Sequence, residues 1–174
     1  MDLQQGFVLT RHWRDTPAGT QVEFWLASDQ GPRRLRVACQ PSVAFIPAEQ
    51  RAWAEPLLRN EKGVELRELI LRDFKRRPVL GLYCRQYRQL LQLEKKLRQV
   101  GVDVYEADIR PPDRYLMERF ITASVLFDGI EQEDGSLLCK PFAIGIRRPG
   151  RSRRKLLTEM RLFIYRRLIN SNFG

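Results

Sequence analysis

Histidine occurs once in the 174-residue chain, as His12. Any Ser-His-Asp or Cys-His relay would have to be built on that imidazole. It lies beside Trp13 in an alternating stretch with no nucleophile signature nearby, so His12 is expected to serve packing or the surface. Cysteine is sparse too: Cys39, Cys84 and Cys139 are widely spaced and odd in number, which fits neither a disulfide framework nor a paired-Cys zinc site. They are expected to be reduced and mostly buried. No apolar run approaches the ~20 residues of a membrane span, and the opening MDLQQGFVLTRHW has no basic flank before an apolar run and no small-residue cleavage pattern. The expectation is a soluble, cytoplasmic chain with no membrane partner. A Walker-type loop and a GxGxxG are also missing, so no small-molecule or nucleotide substrate is expected.

Positive charge is plentiful. The chain carries 31 Lys+Arg against 21 Asp+Glu, a net +10, and a basic surface attracts phosphate wherever it sits. Its distribution divides the chain. Residues 1–142 hold 22 basic and 20 acidic side chains, whereas residues 143–174 hold nine basic and one acidic. A domain over 1–142 followed by a basic tail over 143–174 is expected, and a DNA-binding reading of the domain must rest on local patches. The 43% of apolar residues suffices for one core.

Alternation of apolar and polar residues predicts strands at 6–15, 20–28 and 33–39, joined by the turn residues 15–19 and 29–32 into an antiparallel meander. Phe7, Leu9, Val22, Phe24, Leu26, Leu35 and Val37 form its apolar face, with Arg34 and Arg36 on the wet one. A short apolar run at 43–46 leads through Pro47 into a helix ending near Arg59. Strands follow at 64–74, carrying Leu66, Ile70 and Phe74, and at 78–83, behind the basic knot Lys75-Arg76-Arg77. Leu90, Leu93, Leu97 and Val100 lie at helical spacing, so 86–100 reads as a helix stopped by Gly101. A strand resumes at 102–105. Strand, helix, strand, strand, helix, strand is the order of a ferredoxin-like βαββαβ unit. The fold class is therefore α+β, a meander or barrel-like part plus that unit. A short helix through Phe120, a strand at 121–127 and a turn around Glu133-Asp134-Gly135 complete the domain.

The helix at 86–100 turns Arg85, Arg88, Lys95, Lys96 and Arg98 away from its apolar stripe, with Tyr83 and Tyr87 close by. These five cations are the candidate nucleic-acid-binding residues, because a basic face with aromatics can track a phosphate backbone and stack on bases. A solvated helix face with its tyrosines in the core is the plainer reading. Glu106/Asp108 and Glu131/Glu133 are the acidic pairs that could meet a magnesium ion, but they read more simply as strand-edge and turn charges. No catalytic residue and no metal ligand is assigned.

Three stretches resemble the amino-terminal domain of the bacterial family B DNA polymerases of the polymerase II type. They are GFVLTRHWRDTPAGTQVEFWLASDQGP at 6–32, SVAFIPAEQ at 42–50, and RPVLGLYCRQYRQL at 77–90 with VYEADIRPPDRYLMERFIT at 104–122. Arg11, His12, Trp13, Tyr83, Arg85, Tyr105, Asp108, Arg114 and Tyr115 are among the matching positions. The resemblance implies a domain of sheet and ferredoxin-like parts that packs against a 3′-5′ exonuclease domain and flanks the template strand, in an enzyme of DNA replication, repair and translesion synthesis. Its partners would be template DNA and the remaining polymerase and exonuclease domains, with magnesium as cofactor only in the full-length enzyme. The Asp-x-Glu exonuclease site and the Tyr-x-Asp-Thr-Asp polymerase site of that family are not in this chain, so it is expected to be truncated before them and catalytically inactive alone.

From about residue 143 the resemblance stops. The tail reads either as a basic amphipathic helix, with Leu156, Met160, Phe163 and Ile164 on one side, or as the out-of-frame or truncated end of a disrupted gene; the abrupt stop favours the second. The alternative function is a stand-alone ferredoxin-like module that binds RNA or a protein. It would require an exposed aromatic pair on the central strands, such as Tyr83 with a residue of 43–46.

Overall fold

The structure, a computed structural model, describes residues 4–139 and, for the backbone alone, 145–146. It is a mixed α+β fold built on two sheets. The larger is formed by β1 (Gln4–Thr16), β2 (Gly19–Ser28), β3 (Gly31–Gln40), β7 (Ser124–Phe127), β8 (Gly129–Glu131), β9 (Leu137–Cys139) and β10 (Gly145–Ile146), in the order β10-β7-β1-β2-β3-β9-β8. The β1-β2-β3 meander is antiparallel, as its turns predict. β9 joins β3 in parallel, and β8 and β9 make the hairpin read around Glu133-Asp134-Gly135.

Val22, Phe24, Leu26, Leu35 and Val37 alternate into the core and meet Tyr115 and Leu116 of α3 (Pro111–Glu118). One residue breaks the pattern. The β1/β2 register shifts between Val8 and Thr10, so Leu9, expected on the inner face, is turned outward. A bulge reverses which side chains face inward. Beyond it Trp13 packs against the second core instead.

The smaller sheet holds β4 (Ser42–Pro47), β5 (Val64–Arg72) and β6 (Pro78–Cys84) in the order β4-β6-β5. A 3-10 turn (Ala48–Gln50) and α1 (Arg51–Leu58) follow β4, and α2 (Tyr87–Gln99) follows β6. Alternation puts Ala44, Ile46, Leu80 and Leu82 on one sheet face, where Ala54 and Leu58 of α1 and Leu90, Leu93 and Leu97 of α2 cover them. Each fully buried leucine contributes about 1.5–3 kcal/mol. Val100, read as part of the stripe, is 48% exposed because the helix has ended before it.

The fourth strand of the ferredoxin-like unit shrinks to one bridge. Tyr105 and Phe45 exchange both backbone hydrogen bonds, at 3.0 and 2.8 Å. Val102 and Val104 meanwhile point into the helix-covered core. Glu106 then takes φ 60°, which turns the chain out of the sheet before a second pair can form. The bridge still lies on the far side of β4, where that topology requires its last strand.

Strand β5 stops at Arg72, and Ile70 and Phe74, expected to continue its apolar face, are fully exposed. The register breaks between Glu68 and Arg72, so these side chains have no core beneath them. Cys84 and Cys139 are buried and Cys39 half-buried, and they form no disulfide. Among the described residues no helix is long and apolar enough to cross a membrane. The helical reading of the basic tail lies outside the described residues, whereas 145–146 pair with Leu126 and Val125 of β7.

Candidate nucleic-acid interface

Helix α2 has no side-chain cap of its own. Its cap comes from the β1–β2 turn, some 70 residues earlier in the chain: Asp15 accepts the Tyr87 and Arg88 amides, each at 3.0 Å, and Thr20 Oγ1 accepts the Tyr87 amide at 2.9 Å while donating to Asp15 at 2.6 Å. A carboxylate at a helix start meets orphan N–H groups and the positive end of the helix dipole. Gln86 donates to the Thr16 carbonyl, and the Arg85 backbone bonds to Thr20 on one side and Gly63 on the other. Gly19, at φ 137°, lets the turn approach to where a Cβ would stand 3.2 Å from the Arg85 carbonyl. The basic helix is thereby fastened to the larger sheet at one end.

The five candidate cations are all exposed but divide into two groups. Lys96 pairs with Glu61 at 3.0 Å, and Arg98 pairs with Glu94 at 2.9 Å while donating to the Val104 carbonyl. Hydrogen bonds from Lys96 and then Gln89 hold the Glu61 carboxyl below its ordinary range. The charged groups of Arg85, Arg88 and Lys95 make no ion pair or hydrogen bond among the described residues, so their charge is available to a phosphate.

The tyrosines are differently placed. Tyr87 is buried, edge-on to Trp13 at 4.9 Å, and its hydroxyl donates to the Ala107 carbonyl at 3.1 Å. Burial pushes its hydroxyl pKa up, and it cannot stack on a base. Tyr83 lies half-buried on the helix-free face of the small sheet under Arg67, whose guanidinium is 4.3 Å from the ring. A Cβ on Gly81 would fall 2.6 Å from that ring, so glycine is what lets Tyr83 lie flat. Phe45, on the same face, is half-buried beneath Arg114 at 5.6 Å. An exposed aromatic pair is therefore not formed there. A cleft of about 460 Å³ lined by Val43, Phe45, Leu69, Tyr83, Arg114 and Tyr115 lies on this side.

The positions that carry the resemblance mostly hold the molecule together. Arg11 pairs with Asp113 at 2.7 Å, Arg114 donates to the Glu106 carbonyl and carboxylate, and Tyr105 accepts from Arg77 at 2.8 Å. Burial pushes the Tyr115 hydroxyl up to about 12, and Arg119 lies 3.7 Å over its ring. His12 and Asp108 are exposed. Among the described residues no three His, Cys, Asp or Glu side chains converge into a group that could hold a metal ion.

A feature that periodicity missed lies at the β5–β6 end. In the basic knot, Arg77 is enclosed by Asp73 and Glu49, both at 2.7 Å, and by Asp103 at 3.4 Å, whereas the ammonium of Lys75 and the guanidinium of Arg76 meet no partner among the described residues. An exposed Phe74 precedes them. The run Phe74-Lys75-Arg76-Arg77, an aromatic followed by three cations, was the available signal.

Two family models match in succession, "DNA polymerase II, N-terminal" over residues 6–41 and "DNA polymerase II, insertion domain" over 42–102. Their boundary falls where β3 gives way to β4, between the two sheets. The chain carries the N-terminal and insertion domains of the DNA polymerase II family. It is 58% identical over 135 residues to DNA polymerase II of Escherichia coli (strain K12); the match takes in 78% of this chain and spans 17% of that relative's length. The fold also matches the family B DNA polymerase of the hyperthermophilic archaeon Pyrobaculum calidifontis, with TM-score 0.65 and 19% identity, over 83% of this chain and 21% of that one. Its N-terminal and insertion parts thus correspond to the meander and the ferredoxin-like unit.

Proposed function

We propose that this chain acts as the non-catalytic N-terminal region of a family B DNA polymerase, contributing contacts to the template strand and packing against the exonuclease domain in DNA replication and repair, including synthesis at damaged templates. The carrying observation is the trio Arg85, Arg88 and Lys95, unpaired among the described residues, the first just before and the others on a helix whose start is pinned by Asp15 and Thr20. Cations carried on an ordered backbone neutralise phosphates without that backbone first being set, and such contacts position a strand without reading its bases. Magnesium chemistry belongs, in this reading, to the catalytic domains of a full-length enzyme. The free-standing RNA-binding module is disfavoured because Tyr83 and Phe45 lie under arginines.

Binding to single-stranded DNA is expected to be weak, indifferent to sequence and steeply salt-dependent, with most of the affinity supplied by residues 143–174. Replacing Arg85, Arg88 and Lys95 by glutamine should flatten the log Kd against log salt slope by about 2, at roughly 0.7 per cation. Tight, sequence-selective binding at high salt by residues 1–142 alone would overturn this reading. So would nucleotide incorporation or strand trimming by a homogeneous preparation of the chain.

A further inference from the structure

Residues 69–77 project from the small sheet beyond the register break that follows Glu68. Two fully exposed apolar side chains stand there, Ile70 at 105% and Phe74 at 101% of full exposure, with Leu71 half-exposed beside them. A floppy loop would explain such exposure, but this one is tightly tied. The Asp73 carboxylate accepts the Lys75 and Arg77 amides, both at 2.9 Å, and the Arg77 Nε–H at 2.7 Å. The Asp73 amide donates to the Arg77 carbonyl, the Arg76 amide to the Asp73 carbonyl, and the Arg72 guanidinium to the Arg76 carbonyl. Arg76 is held at φ 60°, a conformation non-glycine residues adopt only where the surroundings impose it. The backbone that carries Phe74 is thus set in advance, and a binding partner need not order it.

The charges around it select the partner. Arg77 is met by Asp73, Glu49 and Asp103, so its charge is spent inside the fold. Lys75 and Arg76, the two residues after Phe74, keep their charged groups unpaired among the described residues and exposed. A protein surface closing over this tip would have to desolvate both cations, and lysine, though not arginine, is depleted from protein interfaces. A single strand of DNA needs neither cost, because each base offers a face to a ring and the flanking phosphates meet the cations. A duplex, its bases already stacked, offers the ring no face.

We infer that the tip of the β5–β6 hairpin is a single-strand contact at which one DNA base stacks on Phe74 and the neighbouring phosphates meet Lys75 and Arg76. This rests on the reading of the chain as a DNA-contacting region and adds a second contact, distinct from the cations of α2.

The test uses the full 174-residue chain, a short fluorescent oligo-dT and a series of salt concentrations. Stacking is insensitive to salt and phosphate contacts are not, so the two halves of the site separate. Phe74→Ala should weaken binding about 5- to 150-fold at every salt concentration with the slope unchanged, the range expected for one base stacked on an aromatic ring. Phe74→Trp should retain affinity and add fluorescence that the oligonucleotide quenches. Lys75→Gln with Arg76→Gln should flatten the slope by about 1.4. Because Phe74 and both cations are exposed, unchanged thermal unfolding of each variant serves as the folding control. If Phe74→Ala binds like the parent while the α2 variant loses affinity, the hairpin inference is overturned and the proposed function stands. If neither variant changes binding, both fail.

Discussion

At one end of the small sheet, β6 runs into α2 and meets the larger sheet, where Asp15, Thr20, Gly19 and Gly63 close around Arg85 and the first turn of the helix. At the other end, the same β5 and β6 run out to a tip where Ile70 and Phe74 are fully exposed among the described residues. Both ends are tied by an aspartate that accepts backbone amides, Asp15 from a distant strand and Asp73 from within its own loop. The difference teaches that backbone order and burial are separate matters. A segment can be as firmly hydrogen-bonded as a core element and still keep its apolar side chains outside, provided its polar groups are satisfied locally.

The contrast is sharpest in the cost of truncation. Leu97, completely buried between α2 and the small sheet, should cost about 2–5 kcal/mol when changed to alanine. Ile70→Ser should stay within about 0.5 kcal/mol, since it removes no packing. Equal midpoints for the two variants in urea unfolding would break the comparison.

A smaller effect is expected at the pinned end. Asp15→Ala removes the one carboxylate that, among the described residues, meets the start of α2, and a lost cap costs about 1–2 kcal/mol. Hydrogen exchange should show the Tyr87 and Arg88 amides losing protection while the leucine-covered middle of the helix keeps it. Loss of protection throughout would mean that the junction, rather than the core, holds the helix.

The smallest effect is confined to the tip. Burial acts to raise the Asp73 carboxyl, but the hydrogen bonds and charge of Arg77, with the Lys75 amide, outweigh it and hold the group below its ordinary value. A depressed carboxyl contributes stability that is present above the unfolded value and lost as pH falls through the folded one. Acidification below the usual aspartate range should therefore loosen residues 73–77 before the core responds. An NMR titration checks this, since Asp73 should titrate below a peptide aspartate; an ordinary midpoint would show the loop untied.

Much of the fold was legible in advance. The meander, the order of the ferredoxin-like unit and the buried stripe of Leu90, Leu93 and Leu97 follow from spacing alone, because alternation and helical periodicity are local properties of the chain. Leu9 was misread for the same reason, since a bulge is one extra residue that no alternation announces. The fourth strand was overextended because apolar residues at 102–105 suit a strand and a buried connection equally. The site was legible as composition only. Five cations were named at and along α2, but which of them reach Glu61 or the Val104 carbonyl depends on segments that the helix itself does not contain, whereas the Arg98–Glu94 pair is local to it.

The amino-acid order by itself determined the family, the fold class and where positive charge accumulates, since motifs, periods and composition need no partner. Only the tertiary structure decided which charges remain available, why Tyr87 is buried and Phe74 exposed, and that α2 is capped from the β1–β2 turn. The last of these is set by contacts across some 70 residues of chain, where a hydrogen-bond donor and its acceptor find each other only after the sheets have formed.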